Sequence, residues 1–269
     1  MIQSKILAKL RAGQPALLTC VNSGSTPLIV EVAARAGFDG IWLDMEHRPI
    51  SQLEIATLIM AARIGGADAY VRIRKGEGYT SVFRPLQDGA AGIMVPHVKT
   101  REEAEWVVCH AKYPPLGRRG TEIVMPDADA SFAAPMDYIQ HANRETFVAV
   151  QIEDREALDN LDDIVAVQGI DVYFIGPADL SLSLGVPFQF DHPKYREAED
   201  RIARAVTKHG KWWGRPVRDA ATAREYADRG ARFLSVGGDF YFLKDGMLKA
   251  IRECNEALKG IGRKSRKSR

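Results

Sequence analysis

The chain has 269 residues, 46% hydrophobic and 27% charged, close to an average soluble protein. This balance excludes collagen, disorder, a disulfide scaffold and a membrane bundle, and no run of about 18 apolar residues is present to span a bilayer. The net charge of +2 is unevenly spread: Arg263, Lys264, Arg266, Lys267 and Arg269 lie in the final GRKSRKSR, and without them the body is net negative.

The length fits one large α/β domain over residues 1–261, followed by a basic, solvated tail at 262–269. The opening MIQSKILAKLRAGQ is amphipathic and lacks the long apolar core of a secretory signal. Cys20, Cys109 and Cys254 are far apart and form no CxxC, which points to a reduced, cytoplasmic compartment.

Short apolar, β-branched runs alternate with helical patterns along the chain. Eight such runs predict strands: Leu17–Asn22, Gly40–Met45, Ala69–Arg74, Gly92–Val98, Phe147–Glu153, Val172–Gly176, Lys211–Val217 and Phe233–Gly237. Between them, apolar residues recur at helical spacing, as in Leu53, Ile55, Ala56, Ile59 and Met60. Gly37, Gly89 and Gly230 suit helix ends. A βα unit repeated eight times predicts a closed (β/α)₈ TIM barrel. One interval is long: about 55 residues separate the starts of the fourth and fifth strands, and the excess, Tyr113–Asn143, is expected to carry function or to contact a partner chain.

Barrel chemistry collects where strands end. Asp44, Glu46, His47 and Arg48 follow the second strand, Arg72 and Arg74 end the third, and Pro96-His97 end the fourth. Gln151 and Glu153 end the fifth, and the sixth runs into Gly176, Pro177 and Asp179. Glu153 and Asp179 would sit on neighbouring strands, where two carboxylates can hold one hard divalent cation and leave positions open for a 2-oxo acid. His47 suits general base work, with His97 as the second candidate. Arg72 ends an apolar run and should point into the barrel mouth, either to steady an enolate or to pair with Glu46 or Asp44. Lys75–Gly78 is no phosphate loop, Asp127–Asp129 is no calcium loop, and no lysine is well placed for a Schiff base, Lys99 coming closest.

The segments GFDGIWLDMEH (37–47), YVRIR (70–74), GIMVPHV (92–98), YPPLGRRG (113–120), VQIED (150–154), IGPADLSLSLG (175–185) and SVGGD (235–239) run in the order found in a known family. Through them the chain resembles the HpcH/HpaI aldolases, metal-dependent class II pyruvate aldolases of hydroxy-2-oxo acids. The resemblance implies reversible cleavage of a 4-hydroxy-2-oxo acid to pyruvate and an aldehyde through an enolate held on Mg²⁺, Mn²⁺ or Co²⁺.

It further implies that Glu153 and Asp179 are the metal ligands, His47 the acid/base, and Glu46 the acid beside metal-bound water. Arg72 would bind the keto oxygen, Gln151 would lie beside pyruvate, and Gly176, Pro177 and Ala178 would meet its carboxylate. Arg119 would lie near the aldehyde pocket or a subunit boundary. A hexamer, a trimer of dimers exchanging the last barrel helix, is the implied assembly. Where the family commonly pairs the histidine with Asp, this chain has Gln87, with Asp88 one residue later, so either Asp88 takes over as the acid/base partner of His47 or His47 is tuned differently. Thr121–Phe132 and Trp212-Trp213 also depart from the family pattern, so the aldehyde does not follow from it. Two other readings remain: a citrate lyase β-like lyase of CoA thioesters, and a non-catalytic barrel binding nucleic acid through the basic tail.

Overall fold

The computed structural model describes residues 3–21, 23 and 26–259; Asn22 and the basic run at 262–269 lie outside them. Eight parallel strands follow one another around a closed barrel. They are β1 Ala16–Cys20, β2 Gly40–Asp44, β3 Asp68–Arg72, β4 Gly92–Val95, β5 Phe147–Ile152, β6 Val172–Ile175, β7 Trp212–Val217 and β8 Phe233–Val236. Ala16 pairs with Phe233, which joins β8 to β1 and leaves no open sheet edge.

The helices are α1 Lys5–Arg11, α2 Pro27–Arg35, α3 Gln52–Gly65, α4 Tyr79–Gln87, α5 Arg101–Ala111, α6 Pro135–Glu145, α7 Arg155–Asp159, α8 Leu161–Ala166, α9 Pro177–Ser183, α10 Pro193–Lys208, α11 Ala220–Asp228 and α12 Asp239–Ala257. Local sequence sets many of their limits. Ser51 and Glu54 form a capping box at the start of α3, Asp219 and Thr222 do the same for α11, and Gly37, Gly89 and Gly230 follow helices in the left-handed region.

Several strands stop earlier than the apolar runs predict. β3 ends at Arg72 rather than Arg74, and β4 at Val95 rather than Val98. At β4 the cause is local, because His97 takes a left-handed φ of 52° and turns the chain out of the strand.

Period-two alternation divides the strand side chains between two cores. Inward-facing Leu18, Trp42, Tyr70, Met94, Phe147, Phe174 and Phe233 fill the barrel. Trp42 meets Phe174 edge-on at 5.6 Å and Tyr70 meets Phe233 at 5.2 Å, so the interior is packed rather than open. α1 plugs the end where the strands begin: Ile6, Leu7 and Leu10 join this interior cluster, and Asp68 at the start of β3 accepts from Ser4 Oγ at 2.6 Å and Ile6 N at 2.9 Å. Outward-facing residues such as Ile41, Val71, Ile93, Val148 and Ile175 form the second core against the helices.

The long interval forms a satellite. Tyr113, Ala128, Tyr138 and Ala142 pack together, a short 3₁₀ segment spans Pro126–Ser131, and the Pro114–Pro115 bond is cis. α12 differs from every other long helix. None of its residues is buried, and Phe240, Tyr241, Phe242, Leu243, Met247, Leu248 and Ile251 are all exposed.

Candidate active site

The register that packs the barrel also builds its mouth. Trp42 pairs with Tyr70 inside the aromatic layer, and one period later Asp44 pairs with Arg72. The next inward layer is therefore charged rather than apolar. Arg72 donates Nε and Nη2 to the two oxygens of Asp44, at 2.9 and 2.8 Å, and its guanidinium lies 4.7 Å from the Trp42 ring centroid. This fork leaves Nη1 to reach Glu46 at 3.0 Å and Gln151 Oε1 at 3.4 Å. Both pairings foreseen for Arg72, with Asp44 and with Glu46, are present.

From Gln151 the network continues around the mouth. Gln151 Nε2 donates to Glu153 Oε2 at 2.8 Å. The main-chain N–H of His97 donates to Glu153 Oε1 at 2.9 Å. The His97 ring meets Asp154 at 3.0 Å through Nδ1 and approaches Glu46 to 3.8 Å through Nε2. Arg72, Gln151, Glu153, His97 and Glu46 thus form a closed ring drawn from four regions of the chain.

Burial and charge compete in this ring. Burial, with Asp179 and Glu46 nearby, raises the Glu153 carboxyl to about 7, although His97 pulls it back. Burial also works against the Asp44 carboxylate, but the Arg72 fork outweighs it and holds that carboxyl below its ordinary value. The His97 imidazole is penalised by burial, yet Asp154, Glu153 and Glu46 together raise it above the usual histidine value.

The donor set fits a hard divalent cation. Glu153 is 1% exposed and has no arginine or lysine partner among the described residues. Asp179, in the first turn of α9, carries no hydrogen bond or ion pair among the described residues and adds to the negative field on Glu153. A buried carboxylate and a half-buried one near enough to raise it, with no arginine or lysine on either among the described residues, favour an added cation. Gly176 makes the space: a Cβ there would lie 2.0 Å from Glu153 Oε2. No group of three or more His, Cys, Asp or Glu side chains is disposed to hold a metal among the described residues. A cation here would take two protein carboxylates and complete its shell from water or substrate.

Other expected residues are placed as follows. Pro177, Ala178 and Asp179 form the first turn of α9, directly after β6, and the N–H groups of Ala178 and Asp179 have no partner within the helix. His47 is 60% exposed and meets Glu46 at 3.5 Å. Asp88 accepts from Gln52 at 3.0 Å and pairs with Arg84 at 3.2 Å; no bond joins it to His47 among the described residues.

Arg119, which the resemblance places near the aldehyde pocket or a subunit boundary, lies apart from the ring at the mouth. It is fully buried against Asp127, at 2.6 Å, and lies over the Tyr113 ring. Asp127 lines a cavity of about 170 Å³ with Ser4, Asp68 and Ala91, at the end of the barrel where strands begin. The reason is topological: the long interval follows α5, which has returned the chain to that end. Sequence reasoning missed Trp42 as the shelf under Arg72 and Asp154 as a partner of His97. The acidic pair Glu153-Asp154 was the available signal for the second.

Comparison with known proteins agrees with this fold. Residues 19–244 match the family model described as HpcH/HpaI aldolase/citrate lyase. The 5-keto-4-deoxy-D-glucarate aldolase of Shigella boydii is 34% identical over 236 residues, 88% of this chain and 90% of its own. The solved HpcH/HpaI aldolase from Desulfitobacterium hafniense superposes with a TM-score of 0.86 at 34% identity, covering 93% of this chain and 96% of its own. The solved citrate synthase SbnG gives 0.85 at 29% identity, covering 96% and 99%. The chain belongs to the HpcH/HpaI aldolase/citrate lyase family and is a carbon–carbon lyase.

Proposed function

We propose that the chain cleaves a 4-hydroxy-2-oxo acid reversibly into pyruvate, or a related 2-oxo acid, and an aldehyde. The observation that carries this reading is the buried Glu153, without an arginine or lysine partner among the described residues and beside Asp179, two strands from an arginine clamped in the barrel mouth. Glu153 and Asp179 would hold a divalent ion, which when bound supplies Lewis acidity to the 2-oxo acid. The name of the curated relatives supports a sugar-acid-derived hydroxy-2-oxo acid as the substrate class.

In this reading Arg72 presents a fixed positive charge to the keto oxygen. Its fork on Asp44 and its seat on Trp42 are already made, so little reorganisation is needed as negative charge grows there. Gln151 orients both Arg72 and Glu153. The N–H groups of Ala178 and Asp179, in the first turn of α9, would donate to the substrate carboxylate. His47, exposed at the mouth beside Glu46, would take the proton from the C4 hydroxyl as the C3–C4 bond breaks to give the aldehyde and the enolate. C3 of the enolate then takes a proton from solvent to become the methyl group of pyruvate, and both transfers run backwards in synthesis.

The assembly belongs to this reading. A second copy would cover α12, whose exposed residues Phe240, Phe242 and Leu243 border an apolar groove of about 420 Å³ against Ile29 and Val32 of α2. Exchange of α12 within a dimer, and a trimer of such dimers making a hexamer, is the proposed arrangement.

The test is pyruvate in D₂O with Mg²⁺ or Mn²⁺, followed through its methyl signal by NMR. Exchange that a chelator abolishes, and that Glu153→Gln lacks, is expected. Absence of exchange with Mg²⁺, Mn²⁺ and Co²⁺ alike would overturn pyruvate as the donor.

A further inference from the structure

His97 stands where an apolar run ends in Pro96-His97, and its surroundings are unlike those of the other mouth histidine. His47 is 60% exposed with Glu46 as its partner. His97 is 35% exposed and lies among three carboxylates: Asp154 at 3.0 Å, Glu153 at 3.4 Å and Glu46 at 3.8 Å. Its backbone is left-handed, with φ at 52°, and is pinned on both sides. The N–H donates to Glu153 at 2.9 Å, and the carbonyl accepts from Lys75 Nζ. Lys75 is in turn held by Glu103 at 2.9 Å, which ties the turn to α5.

The ring of contacts shows what this residue joins. Arg72, Gln151 and Glu153 are linked in series on β3 and β5, and Glu46 is tied to Arg72 after β2. The only side chain that spans from Glu46 to the Glu153-Asp154 pair among the described residues is the His97 imidazole.

We propose that His97 is a positioning residue: its imidazole closes the ring between Glu46 and the Glu153-Asp154 pair and holds the Glu153 carboxylate in the orientation that takes a divalent cation. The proposal rests on the functional reading above. It assigns His97 no proton transfer and no contact with substrate. A carboxylate whose rotamer is fixed by an outer partner binds a cation without first losing that freedom, and loss of such partners typically weakens metal affinity about 10–100-fold.

The left-handed backbone supplies clean variants. His97→Gly removes the imidazole and keeps both the conformation and the N–H to Glu153. His97→Asn also tolerates positive φ and retains a side-chain donor toward Asp154. The experiment is a Mn²⁺ titration of the full chain without substrate, read by electron paramagnetic resonance of the free ion, on wild type, His97→Gly, His97→Asn and Glu153→Gln.

Binding that Glu153→Gln loses, that weakens about tenfold or more in His97→Gly, and that His97→Asn partly restores is the expected result. Equal affinity in wild type and His97→Gly would overturn the positioning role while leaving the proposed metal site intact. Wild-type protein that binds no Mn²⁺ would overturn both. Should His97→Gly fail to fold, unweakened binding in His97→Asn, which cannot reach both Glu46 and Asp154, overturns the proposal equally.

Discussion

Glu153 and Glu199 are buried to the same degree, at 1% and 0% exposure, and are treated in opposite ways by the chain. Glu199, on α10, is saturated with fixed cations. Arg215 of β7 pairs with it directly, Arg229 lies at 2.7 Å, Arg196 at 3.6 Å, and Tyr226 donates at 3.2 Å. Arg215 and Arg229 also stack on Tyr226, with centroid distances of 4.1 and 4.7 Å. Glu153 has amide donors from Gln151 and His97, a histidine ring, and no arginine or lysine partner among the described residues. A buried carboxylate with its own cations is a structural cross-link between elements. One left without them, in the field of Asp179, is open to a cation that arrives.

The strongest way to break this contrast is to neutralise each glutamate in turn. Glu153→Gln is expected to abolish metal-dependent methyl exchange of pyruvate while leaving the urea unfolding midpoint close to wild type. Glu199→Gln should do the reverse. It leaves Arg215 and Arg229 buried without their counter-charge, at a cost of about 3–5 kcal/mol in urea unfolding, with exchange per folded molecule unchanged. Loss of activity in both, or of stability in both, would erase the distinction.

Arg72→Ala sharpens the comparison within the mouth. It removes the fixed positive charge and orphans Asp44, so kcat should fall about 10²–10³-fold with a smaller change in KM. Leu248→Arg or Ile251→Arg places a charge on the exposed apolar face of α12, and analytical ultracentrifugation should then report a smaller species than wild type.

The smallest effect is on acid stability, and here two aspartates of adjacent strands oppose each other. Burial raises the Asp44 carboxyl, but Arg72 outweighs it and holds it below its ordinary value. The resulting stability is present above about pH 4 and is lost as pH falls through the folded value, so Asp44→Asn should narrow its deficit from wild type in acid. Asp68 is raised by burial despite Ser4 and Ile6. Its contribution has the opposite sign: stability rises as pH falls from its raised folded value toward the ordinary carboxylate value. Urea midpoints of wild type, Asp44→Asn and Asp68→Asn across pH 3–7 would expose the two slopes.

Much of the candidate site was legible because a closed barrel gathers strand ends at one mouth. The residues after β2, β3, β5 and β6 were singled out from position alone, and Glu46, Arg72, Gln151 and Glu153 lie in one ring of contacts. Arg119 shows where that logic stops. Its motif is recognisable in the chain, but the loop that carries it emerges after a helix rather than a strand, and the structure buries it at the opposite end with Asp127 and Tyr138. His97 was visible as a histidine at a strand end. Its junction between Glu46 and the Glu153-Asp154 pair was not, because that depends on a left-handed turn and on partners 51 and 57 residues away along the chain.

The sequence by itself determined the number of strands, their order, and the alternation that places aromatic side chains inside the barrel and charged ones one layer above. These follow from local periodicity and from the fixed hand of βα connections, which leave one compact closure. Only the tertiary structure decided which charges became partners. Asp44 and Arg72 meet because register sets them side by side, Glu153 fits because Gly176 leaves it room, and α12 keeps its apolar face exposed because, among the described residues, only its first turn packs against the barrel, through Phe242 on Phe38. Ion pairing and desolvation depend on distances of a few ångströms between segments far apart in sequence, and periodicity carries no information at that scale.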